Sequence, residues 1–395
     1  MQPEEQPRAV RYLVVGGGMT ADAAVRGIRQ HDAEGSVVVV GAEQHPPYKR
    51  PPLTKGLWGD AEESTIWLQT EHVEHVELVL GRKIAAVDAG SHSVVNDRGG
   101  SYSYEKLLLA TGSTPRRLAN AEGVVYFRTL DDYRHLREQA HTGRRVIVVG
   151  GGFIGSEIAA ALVGSGCDVT MVFPDAAIGQ RLLPGTLARF VNDYYRDRGV
   201  EVIPNETVAA ADGGSVTLGS GRTIVADLVV AGIGVEPAVE LAVAAGLTVA
   251  NGIVVDEYGR ADGQTDVFAA GDVANFPMTA LGKRFRVEHE DHARTHGRTV
   301  GANMAGATSA YDHLPLFYSD LFDLGYEAVG EVDSRLATVE YWAEPNRKGV
   351  VSYPDGSKRP NGFLFWNTWD SVPIGRELIR GRKPIDAARL ALIFS

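Results

Sequence analysis

The chain has 395 residues, enough for two or three domains with separate cores. Its net charge of −11 argues against non-specific nucleic-acid binding, which needs a basic surface. No apolar run approaches the roughly 20 residues that cross a bilayer, so no membrane span is expected.

The opening Met1-Gln2-Pro3-Glu4-Glu5 is acidic and polar and reads as neither signal nor transit peptide, which gives a cytoplasmic location by default. Residues 11–15 form a short apolar run, predicted as a strand, that ends in Gly16-Gly17-Gly18. An Ala-rich helical stretch over 21–30 and a second run over 37–40 follow. In this setting Gly16-x-Gly18-x-x-Ala21 is a dinucleotide fingerprint. The glycines allow a tight turn and let backbone approach a pyrophosphate at a helix N-terminus. An acid after the second strand should hold the adenosine ribose, and Glu43 is the candidate. Next comes Tyr48-Lys49-Arg50-Pro51-Pro52-Leu53-Thr54-Lys55, stiffened by its prolines and flanked by two cations. The arginine fork of Arg50 suits phosphate oxygens. A polar turn at 97–100 and an apolar strand over 107–110 close this region.

The pattern then repeats. Residues 146–149, Gly150-Gly151-Gly152, a helical stretch over 154–162 and a run over 169–173 form a second strand, turn, helix and strand. Gly150-x-Gly152-x-x-Gly155 is its fingerprint, and Asp175 is the first carboxylate after its second strand. A ribose contact from Asp175 repels a 2′-phosphate and favours NADH over NADPH, although Arg181 lies close by in sequence. Cys167 opens that strand and is the sole cysteine; one thiol forms no intrachain dithiol relay, and it reads as a buried structural residue. Apolar runs over 216–218, 224–231 and 267–270 follow, the last ending at Gly271-Asp272.

Glu288-His289-Glu290-Asp291-His292 sets two histidines among carboxylates but lacks a third well-spaced ligand motif, so no metal is expected. The last 75 residues change character, with a hairpin turn at Tyr353-Pro354-Asp355-Gly356, a buried strand over 363–366 and a closing helix over 385–393. The expected fold class is α/β, with two Rossmann-type, three-layer dinucleotide-binding domains plus a C-terminal α+β domain.

These segments, with Ala110-Thr111-Gly112-Ser113-Thr114-Pro115-Arg116, Gly232-Ile233-Gly234-Val235-Glu236-Pro237, Val267-Phe268-Ala269-Ala270-Gly271-Asp272 and Gly325-Tyr326-Glu327-Ala328-Val329-Gly330, carry a resemblance. The chain resembles the FAD-dependent NAD(P)H:ferredoxin reductases of the glutathione-reductase-like superfamily, in the apoptosis-inducing-factor-like branch. That resemblance implies an FAD-binding domain from residues 1–116 and 252–320, an NAD(H)-binding domain over 117–251, and a C-terminal domain over 321–395. It places Gly16, Gly18, Ala21, Glu43, Arg50, Lys55, Ala110, Thr111, Gly112, Arg116, Asp272, Glu288, His289 and Tyr318 on the FAD side. Gly150, Gly152, Phe153, Ile154, Gly155, Glu157, Asp175, Arg181 and Gly234 fall on the NAD side. By the same resemblance Asp272 binds the ribityl chain, while Lys55 lies beside flavin N5 and pairs with Glu157 as the catalytic couple. Glu288 and His289 line the site near the flavin and nicotinamide.

The chain also departs from the family pattern. Ala42 stands where the ribose-binding acid usually falls, one position before Glu43, and Tyr318-Ser319-Asp320 replaces Trp-Ser-Asp. No acidic insertion interrupts 344–349, unlike apoptosis-inducing factor.

The implied chemistry is hydride transfer from nicotinamide C4 to flavin N5. Without a dithiol, electrons leave the flavin directly and singly, which suits a [2Fe–2S] ferredoxin of an oxygenase system. Lys283, Arg284, Arg286, Arg376, Arg380, Arg382 and Lys383 are candidate cations for docking it. The alternative is an NADH-responsive redox and binding protein like apoptosis-inducing factor, with slow turnover and a persistent charge-transfer complex. A homodimer is compatible with either. An NADH oxidase or peroxidase is disfavoured because the cysteine it uses at the flavin is missing.

Overall fold

In the computed structural model, which describes residues 7–394, the first apolar run becomes strand Arg8–Val15. The N-terminal pentapeptide considered above lies outside the described residues. The last four residues of the strand are all buried, the continuous pattern expected at the centre of a parallel sheet covered on both faces. It pairs in parallel with Val37–Val40 on one edge and Ser101–Leu109 on the other. Val76–Val79 extends the sheet beyond Val37–Val40. Ser101–Leu109 is long enough to take two partners on its far edge, antiparallel Ser93–Asn96 and parallel Val267–Ala269.

The chain divides into two compact units. The first comprises the residues up to Arg50, Glu63–Thr114 and Pro237–Pro315. Its helix Met19–Arg29 packs on Glu290–Met304 through glycines. A Cβ on Gly27 falls 2.1 Å from the Arg298 carbonyl oxygen, and one on Gly301 falls 2.1 Å from the Ala24 carbonyl oxygen. The two backbones therefore touch, with no room for side chains between them.

The second unit comprises Pro51–Glu62, Pro115–Glu236 and Leu316–Ser395. Its parallel sheet runs Glu201–Ile203, Asp168–Val172, Arg145–Val149, Leu228–Ala231, Val125–Tyr126, with helix Phe153–Gly164 as the crossover after the second glycine turn. The antiparallel C-terminal sheet has the order Leu316–Leu321, Leu324–Gly330, Pro360–Trp366, Lys348–Pro354, Val339–Glu344. Phe363, Leu364, Phe365 and Trp366 are fully buried in it, and helix Val372–Gly381 packs on two of its strands. The architecture is the α/β class expected, two Rossmann-type units and a C-terminal α+β portion.

Two elements differ from the expectation. The apolar run over 224–231 is two strands. Thr223–Val225 pairs antiparallel with Ser215–Leu218, whereas Leu228–Ala231 joins the parallel sheet. The break falls at Asp227, whose carboxylate is engaged by the Arg145 side chain at 2.7 Å and by its backbone N–H at 3.0 Å. The closing helix is shorter than 385–393. Asp386 accepts the Arg389 N–H at 2.9 Å as an N-cap and so starts the helix at Ala387–Ala391, and the chain then tightens into a 3-10 turn, Leu392–Phe394.

Candidate functional site

Both glycine turns have the same geometry. Gly16 and Gly150 each adopt φ +120°, and a Cβ on them falls 2.1 Å from the Ala110 oxygen and 2.3 Å from the Gly232 oxygen respectively. Only glycine fits there. Gly155 is equally constrained, with a Cβ 2.1 Å from the Gly150 oxygen. Gly18 and Gly152 are different: a Cβ on either meets nothing within 4 Å. They are the N-caps of Met19–Arg29 and Phe153–Gly164, and neither helix start receives a side-chain cap. Each helix thus points uncapped N–H groups and the positive end of its dipole into open space. That arrangement fits a pyrophosphate at both turns.

In the first unit, Arg50 and Tyr48 converge on Glu43. The Arg50 guanidinium lies 2.6 Å from Oε1 of Glu43, and the Tyr48 hydroxyl donates to Oε2 at 2.6 Å. Asp272, at the end of Val267–Ala269, accepts the Ser113 hydroxyl at 3.0 Å, and its backbone oxygen accepts from Arg286 at 3.3 Å. Arg286 also pairs with Glu288. Thr111 donates to the Ala238 oxygen at 2.7 Å, and Gly112, with φ +70°, offers its carbonyl to the Ala238 N–H at 3.0 Å.

Behind Gly271 lies a cluster of rings that the sequence did not foretell: His292, His296, Phe276 and Tyr311. His292 stacks on Phe276 at 4.6 Å, and its Nδ1 lies 3.0 Å from the Tyr311 hydroxyl. Gly271 N–H donates to Nδ1 of His296 at 3.3 Å, so the His296 proton sits on Nε2. Both rings are fully buried. Desolvation pushes His292 down to about 3 and His296 well below the usual histidine range, so both are neutral at pH 7. Among the described residues no group of three or more His, Cys, Asp or Glu side chains could hold a metal ion.

The second unit brings Lys55 and Glu157 together as an ion pair. The double proline shapes Pro51–Thr54 as a 3-10 turn, which lies against helix Phe153–Gly164. Glu157, 6% exposed, projects from the second turn of that helix. It also accepts the Thr54 hydroxyl on Oε2 and the Ser319 hydroxyl on Oε1, both at 2.6 Å. Lys55 Nζ stands 5.2 Å over the Tyr318 ring and 3.7 Å from Asp320. A buried carboxylate with one cation and two hydroxyl donors has its charge compensated. Thr54 and Ser319 were not singled out from the sequence. Ser319 did leave a trace, as the one polar residue among the inward positions Phe317, Ser319 and Leu321 of an alternating strand. Phe153 meets Phe317 edge-on at 5.6 Å, and the buried Tyr195 hydroxyl donates to the Ser156 oxygen at 3.0 Å.

Asp175 and Arg181 share the loop after Asp168–Val172, with Nε of Arg181 3.6 Å from the carboxylate and the arginine side chain 85% exposed. Arg116 lies in this second unit, its N–H donating to the Gly234 oxygen at 2.9 Å. Ile154 and Ala21 occupy the first turns of their helices. Cys167 is buried, its thiol lies 3.6 Å from the His141 oxygen, and burial raises its pKa. No helix among the described residues is long and apolar enough to cross a membrane.

Two glycine turns built for dinucleotides, with a buried lysine–carboxylate pair beside the second, define a two-dinucleotide oxidoreductase. The chain belongs to the pyridine nucleotide-disulphide oxidoreductase family, which it matches over residues 10–297, and it is an oxidoreductase of FAD and NAD(H). Residues 300–352 match the mitochondrion-associated C-terminal family of apoptosis-inducing factor. The chain is 38% identical to the ferredoxin–NAD(+) reductase component of the anthranilate 1,2-dioxygenase system of Burkholderia cepacia, over 83% of this chain and 84% of that one. It is 30% identical to apoptosis-inducing factor 1, mitochondrial, of Dictyostelium discoideum, over 98% and 81% of the two chains. Among solved structures, the covalent putidaredoxin reductase–putidaredoxin complex superposes with a TM-score of 0.89 at 28% identity, covering 96% of this chain and 95% of that one.

Proposed function

We propose that the protein takes hydride from NADH and delivers electrons one at a time to a [2Fe–2S] ferredoxin of an oxygenase system. FAD, when bound, supplies the switch between two-electron and one-electron chemistry. The first unit takes FAD through Gly16, Gly18, Arg50 and Asp272, and the unit built on Arg145–Val149 takes NAD(H) through Gly150, Gly152 and Asp175. Lys55 is the catalytic cation and Glu157 its partner. Thr54 and Ser319 hold the Glu157 carboxylate still, so that the lysine charge is fixed before electrons arrive.

The observation that carries this reading is the single buried thiol, Cys167, in a family named for disulphides. With no second cysteine there is no dithiol within one chain to receive a pair of electrons, which favours a one-electron acceptor. The relatives named for ferredoxin or putidaredoxin point the same way.

The cations proposed for docking an acidic ferredoxin lie in two stretches of the sequence, 283–286 and 376–383. Arg284 bonds to Asn275, and Arg286 to Glu288, while Arg382 is held by Asp355 and Asn361. Around helix Val372–Gly381, Arg380 and Lys383 are exposed, as are Ile374 and, two residues before the N-cap, Trp369 at 47%. An exposed aromatic among cations suits an electron-transfer partner. The test is anaerobic. Protein reduced by NADH is mixed with an acidic [2Fe–2S] ferredoxin, and reoxidation in milliseconds to seconds, slowed by salt, supports the reductase.

A second reading is favoured by the match over residues 300–352: an NADH-responsive binding protein whose output is dimerisation or partner binding. In the same experiment a long-wavelength charge-transfer band that persists for minutes and ignores ferredoxin supports it.

A further inference from the structure

The loop carrying Asp175 and Arg181 is held from two sides. From its own sheet-and-helix layer, Gly179 N–H donates to the Gly151 oxygen at 2.8 Å. Buried Asn192 accepts the Ile178 N–H at 2.9 Å and donates to the Ala176 oxygen at 3.0 Å. These contacts fix the first half of the loop. In the second half the Leu182 and Leu183 N–H groups close a turn on the Gly179 oxygen at 2.8 and 2.9 Å, beside a pocket of about 300 Å³ lined by Ala176, Ala177, Gln180, Leu183, Ala188 and Ser334.

The Arg181 and Leu182 carbonyls are held by the C-terminal portion of the chain, one by a strand of its sheet and one by the loop between two strands. The Tyr353 hydroxyl donates to the Leu182 oxygen at 2.6 Å, across 171 residues of sequence. Ser334 N–H donates to the Arg181 oxygen at 3.1 Å. Tyr353 is fully buried on strand Lys348–Pro354, so its ring is fixed and its hydroxyl has one direction in which to point. The geometry points to Tyr353 as a positioning residue for NADH: by fixing the Arg181–Leu182 backbone, the C-terminal sheet sets where the Arg181 and Asp175 side chains stand. This rests on the reading of that loop as the adenosine-ribose end of the NAD(H) site. Linkage makes the effect reciprocal, so NADH occupancy steadies the Tyr353 contact by the free energy that the contact lends to binding.

The test is Tyr353→Phe, which removes one oxygen and keeps the ring. Loss of a single hydrogen bond predicts a rise of about 3- to 10-fold in the NADH dissociation constant, and in KM, with kcat at saturating NADH and the bound-flavin spectrum unchanged. A merely structural role lowers the melting temperature and leaves the dissociation constant where it was; that result overturns the inference. Asp175→Ala separates the two levels. If it weakens NADH and Tyr353→Phe does not, the positioning role alone falls. If Asp175→Ala leaves NADH binding untouched, the assignment of the loop falls and the inference with it. Faster hydrogen exchange of the Gly179 and Leu182–Leu183 amides in Tyr353→Phe is the second expected signature.

Discussion

Ser319 donates its hydroxyl to Oε1 of Glu157 at 2.6 Å, although 162 residues separate them in sequence. One residue belongs to a C-terminal strand and the other to the helix after the second glycine turn. The carboxylate that faces Lys55 is therefore aimed by the C-terminal sheet.

Removing that hydroxyl by Ser319→Ala leaves a buried oxygen short of one donor, a cost of about 1.5–3 kcal/mol for a bond to a charged group. The expected outcome is a lower melting temperature together with a slower NADH-dependent bleaching of the flavin in stopped flow. Unchanged bleaching in a folded variant removes Ser319 from the site.

Breaking the pair itself is more severe. Lys55→Met strands a carboxylate that is 6% exposed, which costs about 3–5 kcal/mol. The double change Lys55→Met with Glu157→Gln recovers much of that stability. If the lysine charge serves electron arrival, the flavin midpoint potential stays lowered in both variants. A potential equal to the parent's in the stable double variant disproves the role given to Lys55.

The two classes of glycine separate folding from cofactor binding. Gly16→Ala and Gly150→Ala drive a Cβ into carbonyl oxygens at 2.1 and 2.3 Å, and both destabilise their units. Gly18→Ala and Gly152→Ala meet no protein atom within 4 Å, so both variants fold normally. Gly18→Ala is expected to release FAD during gel filtration, whereas Gly152→Ala keeps its yellow colour and binds NADH at least tenfold more weakly. Full FAD occupancy and parental NADH affinity in these two variants contradict the pyrophosphate assignment.

Acid acts on the first unit through its buried imidazoles. His292 titrates near 6.5 when unfolded and near 3 when folded, and His296 is also held low, both by desolvation. Between those values the unfolded chain binds protons that the folded chain does not. Their contribution to stability is therefore complete above about pH 6.5 and is lost as pH falls toward 3, by up to about 1.4 kcal/mol per pH unit for each ring. Melting temperature followed from pH 7.5 to 4.5 should fall, and His292→Phe should flatten the slope.

Nucleotide choice tests the loop after Asp168–Val172. Asp175→Ser removes the carboxylate expected to repel a 2′-phosphate while Arg181 remains, so the ratio of kcat/KM for NADH over NADPH drops about tenfold or more. A ratio within twofold of the parent's moves the ribose contact elsewhere.

Much of this was legible in the sequence because it is local. The two glycine turns, their helices and Asp175 lie within short windows whose spacing is visible in the sequence, although the carbonyls that crowd Gly16 and Gly150 come from Ala110 and Gly232. The Lys55–Glu157 pair was reachable only through family resemblance, and Thr54 was overlooked beside Lys55 because a threonine in a proline-rich segment looks like a turn residue. The ring cluster of His292, His296, Phe276 and Tyr311 draws on three separated segments; His292 stood out only as one of two histidines among carboxylates, and His296 carried no signal in the sequence. The run over 224–231 read as one strand because hydrophobicity is blind to a change of sheet; the pairing of Asp227 with Arg145 marks the break, and it is a long-range contact.

The glycine contact between Met19–Arg29 and Glu290–Met304 bears on biosynthesis. The partner of the first helix is encoded some 270 residues later, beyond the whole of the 115–236 segment, so during translation that helix waits with its apolar face uncovered. At about 5–20 residues per second the delay is roughly 15–55 s, long enough for chaperones to engage the nascent chain. The first unit thus cannot close this helix pair until the ribosome has passed residue 304.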